Sequence, residues 1–155
     1  MKELFKKLNI KVYLILGSFI FTLVALISYF ININTEYFLP YAPSIGYIVV
    51  LIISLIIECA YIPLIFLKEN KIFNIAKDVI EMILPGLLMV ALMLLFLDRI
   101  YYFSIITTYE KNNETIAALT SALVSFASCL VSSLVALVVP FLFKKERKEE
   151  VLQTN

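Results

Sequence analysis

The sequence predicts an all-α integral membrane protein, a bundle of four transmembrane helices with the N and C termini in the cytoplasm. Three observations predict it. Apolar residues make up 62% of the 155-residue chain and charged residues only 16%, against roughly 45–50% and about 25% in ordinary soluble proteins. Hydrocarbon is therefore the solvent expected for much of this apolar surface. Four apolar stretches are each long enough to cross about 30 Å of hydrocarbon at about 1.5 Å per residue. Finally, the basic residues fall almost entirely on one side of those stretches.

The chain opens on a basic segment, 1–11. Leu4, Phe5, Leu8 and Val12 fall on one side of a helix whose other side carries Lys2, Lys6, Lys7 and Asn9, which suits a short interfacial helix leading into the first span. Span 1, 12–31, is about 20 apolar residues long, beyond the 7–15 of a signal peptide, and no small-x-small cleavage site follows it, so it reads as a retained span. Residues 32–44, with Pro40 and Pro43, form a loop before span 2, 45–67. Residues 68–78 lead to span 3, 79–103, where Asp78 and Glu81 have the N-cap and N3 spacing of a capping box. Pro63 and Pro85 release the carbonyls of Cys59 and Glu81 from their helical bonds; they make either a hinge or plain kinks. Residues 107–115 precede span 4, 116–143, and a charged tail, 144–155. Its sequence KKERKEE reads as a solvated helical extension whose Lys144 and Lys145 anchor the span at anionic headgroups. With no linker, repeat or low-complexity segment, residues 1–155 form one membrane domain.

Orientation follows from lysine and arginine placement. Lys2, Lys6, Lys7, Lys11, Lys68, Lys71, Lys77, Lys144, Lys145, Arg147 and Lys148 lie at one side, eleven of the 13 basic residues. That side should be the cytoplasm. Tyr29, Tyr37, Tyr41, Tyr47, Tyr101, Tyr102 and Tyr109 gather at the opposite face, as an interfacial aromatic belt would. The net charge of +1 argues neither for nor against nucleic acid. Where the charges sit makes the lipid bilayer the expected partner, with no nucleic acid, and the cell (plasma or inner) membrane the expected location.

Glu58 is the residue that most invites a function. It lies nine residues from Leu67, roughly 13 Å below the cytoplasmic surface. The 15 Ile, Leu, Val and Phe residues of span 2, at about −0.4 kcal/mol each, outweigh an acidic penalty of roughly +3 kcal/mol, so the span still inserts. An acid at that depth should face protein or water rather than lipid. Ser54 at i−4 and Tyr61 at i+3 share its face. Counting from the helix ends places Thr22, Ser132, Ser133 and Met89 at similar depth, so these hydroxyls are candidate partners. Two readings stay open: a proton- or cation-sensitive site, and a protonated glutamic acid that only ties helices together.

Asp98 and Arg99 end the continuous apolar part of span 3 and point about 100° apart. They read as interface anchors beside Tyr101 and Tyr102, or as an inter-subunit ion pair. In span 4, Ala118 with Ala122, Ser121 with Ser125, Cys129 and Ser133, and Ser128 with Ser132 and Ala136 form small-residue rows at i, i+4, which let helix backbones approach closely. The alternative is a serine-lined pore. Cys59 and Cys129, each within an apolar run, read as small buried residues rather than a disulfide.

With no histidine, no His-containing triad or HExxH metal site can exist. There is no G-x-G-x-x-G, no P-loop and no cluster of soft ligands, so neither an enzyme nor a cofactor is expected. Small multidrug transporters are similar in size, but their essential acid sits in the first helix, where this chain has no charge. GtrA-like flippases are similar in span count, but are richer in glycine than this chain, which has 3. In length, topology and thin cytoplasmic face the chain resembles the membrane subunit of the Kiwa anti-phage system. That resemblance covers architecture and no motif. It implies a four-span protein that oligomerises and works with a cytoplasmic effector. The expectation is a non-enzymatic, homo-oligomeric membrane subunit acting as a sensor or anchor for a partner protein in the cytoplasm; the competing class is a small oligomeric transporter, channel or holin that uses Glu58.

Overall fold

A computed structural model describes the backbone of residues 2–66, 71–108 and 112–153, and the side chains of residues 10–66, 72–108 and 112–141. Four α-helices follow one another: α1 (Lys2–Ile33), α2 (Ile45–Phe66), α3 (Lys71–Thr108) and α4 (Asn113–Gln153). Each contains a stretch long and apolar enough to cross a membrane. The outer surface is apolar as well, with Ile56 61% and Met93 66% exposed. Such a surface suits lipid and not water.

Three of the buried faces follow an unbroken heptad spacing. In α1 it runs through Ile15, Ser18, Thr22, Ala25, Tyr29 and Asn32; in α2 through Tyr47, Leu51, Ser54, Glu58, Tyr61 and Ile65; in α4 through Thr115, Ala118, Ala122, Ser125, Cys129, Ser132, Ala136 and Val139. Alternating steps of three and four residues keep one face of each of these helices inward. In α3 the series Leu84, Leu88, Ala91, Leu95 takes one extra step of four to Arg99. This stutter shifts the inward face by one residue. It turns Arg99 into the bundle, 2% exposed, and leaves Asp98 toward the edge at 26%.

The helices pack in the cyclic order α1, α2, α3, α4, with α4 closing onto α1. The α1–α4 seam is antiparallel and in strict register. Ser18 meets Ser132, Ala25 meets Ser125 and Asn32 meets Ala118, so each seven-residue advance in α1 matches a seven-residue retreat in α4. Small residues at these positions let the backbones come close enough for hydroxyls and amides to reach carbonyls of the facing helix. The N-terminal end of α1 and the C-terminal end of α4 therefore share one end of the bundle.

Several expectations change. The basic segment and span 1 form one continuous helix from Lys2 onward. α3 begins at Lys71, so Asp78 lies about two turns inside the helix and caps nothing; no breaker separates Ile72, Ile75 and Val79, and the helical period runs through. A reciprocal cap does form at α4, where Asn112 Oδ1 accepts from the Thr115 N–H at 2.8 Å and Thr115 Oγ1 accepts from the Asn112 N–H at 2.9 Å. Tyr29 and Tyr47 are not interfacial: both are fully buried and meet edge to face at 4.7 Å. Tyr37, Phe38, Tyr41 and Tyr102 cluster instead at the far end; Tyr109 lies outside the described residues. Cys59 and Met89 face outward, while Cys129 is buried and donates to the Leu88 carbonyl at 3.6 Å.

Candidate intramembrane polar site

Glu58 is fully buried at the middle of the bundle. Its heptad position on α2 aims the carboxyl across at α1 and α4. Ser18 Oγ donates to Glu58 Oε1 at 2.5 Å and Thr22 Oγ1 approaches the same oxygen at 3.4 Å. Ser132 Oγ stands 2.9 Å from Ser18 Oγ and 2.7 Å from Thr22 Oγ1, and donates to the Ser18 carbonyl at 3.0 Å. Thr22 Oγ1 also lies 2.9 Å from that carbonyl. One carboxyl and three hydroxyls from three helices thus meet around a single point. Glu58 Oε2 is buried with no hydrogen-bond partner.

Of the residues expected around Glu58, Thr22 and Ser132 are brought to it. Ser54 is buried but bonds the Val50 carbonyl of its own helix at 2.9 Å. Tyr61 donates to Glu81 instead. Ser133 is buried with its hydroxyl unpartnered and is not among the groups bonding Glu58. Ser18, the nearest partner, escapes a depth count from the helix ends because it lies one turn nearer the termini than Thr22. The i, i+4 pairing of Ser18 with Thr22 on the face opposite Glu58 is the signal that identifies it.

A second polar layer lies toward the termini. Lys11 of α1 and Tyr61 of α2 both bond Glu81 Oε1 of α3, and the Lys11 ammonium stands 5.6 Å from the Tyr61 ring centroid. Lys11 and Glu81 side chains are 15% and 12% exposed, so this ion pair is sheltered and joins helices diagonal to one another. The reading of Glu81 as a cap residue does not describe it.

A third layer joins Tyr47 Oη to Ser125 Oγ at 2.9 Å, and Ser125 to the Ala25 carbonyl at 2.8 Å. A fourth closes the far end. Arg99 lies 4.0 Å from the Phe38 ring centroid and 5.4 Å from that of Tyr29, with Nε 3.4 Å from Asp98 Oδ2. Asp98 and Arg99 therefore approach within one chain, their divergence as neighbours overcome by the length of the arginine. Tyr29 Oη accepts from the Ser44 N–H at 2.7 Å and ties the loop 34–44 to this layer. Asn32 Nδ2 donates to the Ala118 carbonyl at 2.7 Å and to Ser121 Oγ at 3.0 Å. Ala122 and Ser125 are fully buried at the packing seam, as is Ala118.

Among the described residues no group of three or more His, Cys, Asp or Glu is placed to hold a metal. The chemistry available at Glu58 is that of a carboxyl surrounded by neutral oxygens, suited to binding or releasing a small cation. No known protein family, characterised protein or solved structure matches this chain.

Proposed function

We propose that this chain is a non-enzymatic multi-pass subunit of the cell membrane, assembled as a homo-oligomer, that senses a condition within the bilayer and anchors a partner protein in the cytoplasm. The observation that carries this reading is the continuation of α1 and α4 beyond the apolar bundle at the same end. From Phe141 to Gln153, α4 runs on for about 18 Å, and α1 from Lys2 to Lys11 for about 13 Å. These segments hold Lys2, Lys6 and Lys7 on one helix and Lys144, Lys145, Arg147, Lys148, Glu146, Glu149 and Glu150 on the other. A charged pair of helical ends is a natural docking element for a protein. The lysine bias supports a cytoplasmic position for that end. The architectural resemblance to the anti-phage membrane subunit supports a role in such a defence assembly.

Two measurements test this. With Cys59 and Cys129 replaced by serine, cysteines introduced at Asn34 and Asn112 should react with an impermeant thiol reagent in intact cells, while one at Gln153 should not; labelling at Gln153 reverses the orientation. The full chain purified from its native membranes should carry a stoichiometric soluble protein, lost when the chain is cut after Lys145. Purification of the chain alone favours the second reading, a small oligomeric transporter, channel or holin. That reading is supported by the fully buried Glu58 with its unpartnered Oε2.

A further inference from the structure

We propose that Glu58, Ser18, Thr22 and Ser132 form an intramembrane binding site for one dehydrated monovalent cation, Na⁺, with H⁺ as its competitor. The inference deepens the transporter reading, but it concerns binding alone and would also serve a sensor.

Proton bookkeeping carries it. The hydroxyls of Ser18, Thr22 and Ser132 supply three protons. Seven oxygen–oxygen approaches within hydrogen-bonding distance share them: Ser18 with Glu58 Oε1, with the Ser132 carbonyl and with Ser132 Oγ; Thr22 with the Ser18 carbonyl, with Glu58 Oε1 and with Ser132 Oγ; and Ser132 with the Ser18 carbonyl. With Glu58 ionised the cluster is rich in lone pairs and poor in protons; the neutral acid adds one proton, the competitor of the cation. Glu58 Oε2, fully buried, adds another acceptor that no donor meets. A cation is the species that such a set of oxygens stabilises. Hard alkali and alkaline-earth ions take carboxylate, hydroxyl and carbonyl oxygens in this way.

The charge selects the valence. One carboxylate among neutral oxygens is balanced by a single positive charge; a divalent ion would leave a buried net charge, which low-dielectric surroundings penalise. The oxygens lie 2.5–3.4 Å apart, hydrogen-bonded to one another, so a cation takes its place by spreading them, and a small ion spreads them least. Among the described residues no protein cation bonds the carboxylate. The titratable or charged side chains turned inward on the packed helices include Lys11 of α1, Tyr61 of α2, Glu81 of α3 and Cys129 of α4; Cys59, the neighbour of Glu58 in sequence, faces outward. The first three bond one another toward the termini, and Cys129 donates to the Leu88 carbonyl. Toward the far end, Arg99 of α3 is engaged with Asp98, Tyr29 and Phe38. The Lys11–Glu81–Tyr61 layer also lies between Glu58 and the termini end, across the path an ion would take from that side.

The purified full chain in detergent tests the proposal. Because a ligand that binds the folded state raises Tm with the logarithm of its concentration, Tm should climb with NaCl relative to N-methyl-D-glucamine chloride at equal ionic strength. The rise should be largest at alkaline pH and fade at acidic pH, where protons hold the carboxyl. Glu58→Gln should be indifferent to Na⁺ at every pH, and Thr22→Ala and Ser132→Ala should need higher Na⁺ for the same shift. Infrared difference spectra of the wild type supply a check that needs no variant to fold: Na⁺ should displace the proton and deplete the carboxylic acid C=O band. A wild-type Tm indifferent to Na⁺ at all pH values, a Glu58→Gln variant that responds like wild type, or an acid band unchanged by Na⁺ overturns the site. Na⁺ binding without Na⁺ flux in proteoliposomes overturns the transporter reading while leaving the site in place.

Discussion

Ser18 and Ser132 stand across the α1–α4 seam with hydroxyl oxygens 2.9 Å apart, and each hydroxyl also faces the other residue's backbone carbonyl, at 3.0 and 3.4 Å. This reciprocal contact does two jobs. It fixes the register of two helices separated by more than a hundred residues in sequence, and it builds one wall of the Glu58 cluster. Both residues are fully buried, so breaking the contact leaves hydroxyls without a partner, which costs stability.

The coupling between the two serines is measurable. In a double-mutant cycle, Ser18→Ala and Ser132→Ala should interact by about 0.6 kcal/mol, and by no more than about 1.7 kcal/mol, the range found for interhelical hydrogen bonds in membranes. Thermal or denaturant unfolding in detergent provides the values. Strict additivity of the two substitutions would show that the serines do not act on each other.

Close approach at the rest of the seam makes a second expectation. Ala122→Leu and Ser125→Phe place bulk where the side chains are fully buried and should each destabilise the bundle by about 1–3 kcal/mol. Leu123→Phe, on the exposed face beside them, should have little effect. Equal stability of all three variants would make the seam a loose contact.

Lys11→Met leaves Glu81 in a sheltered place without its ion-pair partner and should cost about 3 kcal/mol. Adding Glu81→Gln should recover most of that loss, since the amide still accepts from Tyr61 and carries no charge. Unfolding of the single and double variants tests it; a double variant no better than Lys11→Met contradicts an energetic link between these two residues.

Arg99→Lys keeps the charge but loses the planar group that lies over Phe38. The change should cost about 1 kcal/mol and loosen the segment 34–44, which is held through Phe38 and through Tyr29. Limited proteolysis of this segment should quicken in the variant. An unchanged cleavage rate would place the anchoring elsewhere.

Much of the fold was legible before any coordinates. Span length and apolar content alone point to four membrane-capable helices, because a backbone in hydrocarbon must satisfy its own hydrogen bonds and each apolar run is long enough to cross as a helix. The small-residue rows of span 4 mark it as the packing helix, and Ala118, Ala122, Ser125, Cys129, Ser132 and Ala136 from those rows lie buried along it. Glu58 was identifiable on cost, since an acid amid aliphatic residues must face inward.

What only the tertiary structure decided is which distant residues those faces meet. Whether Glu58 finds Ser18, and whether Glu81 caps its own helix or reaches Lys11, depends on the axial offset between helices, which local spacing does not contain. The choice of Arg99 over Asp98 as the buried neighbour goes with the step of four after Leu95, which exists only in the packed bundle. Tyr29 and Tyr47 look interfacial by position, yet their hydroxyls find partners inside the bundle, and burial with a partner displaces the belt. Hydrophobicity acts residue by residue and can be read from a chain, whereas hydrogen-bond geometry acts between helices and exists only once they are packed.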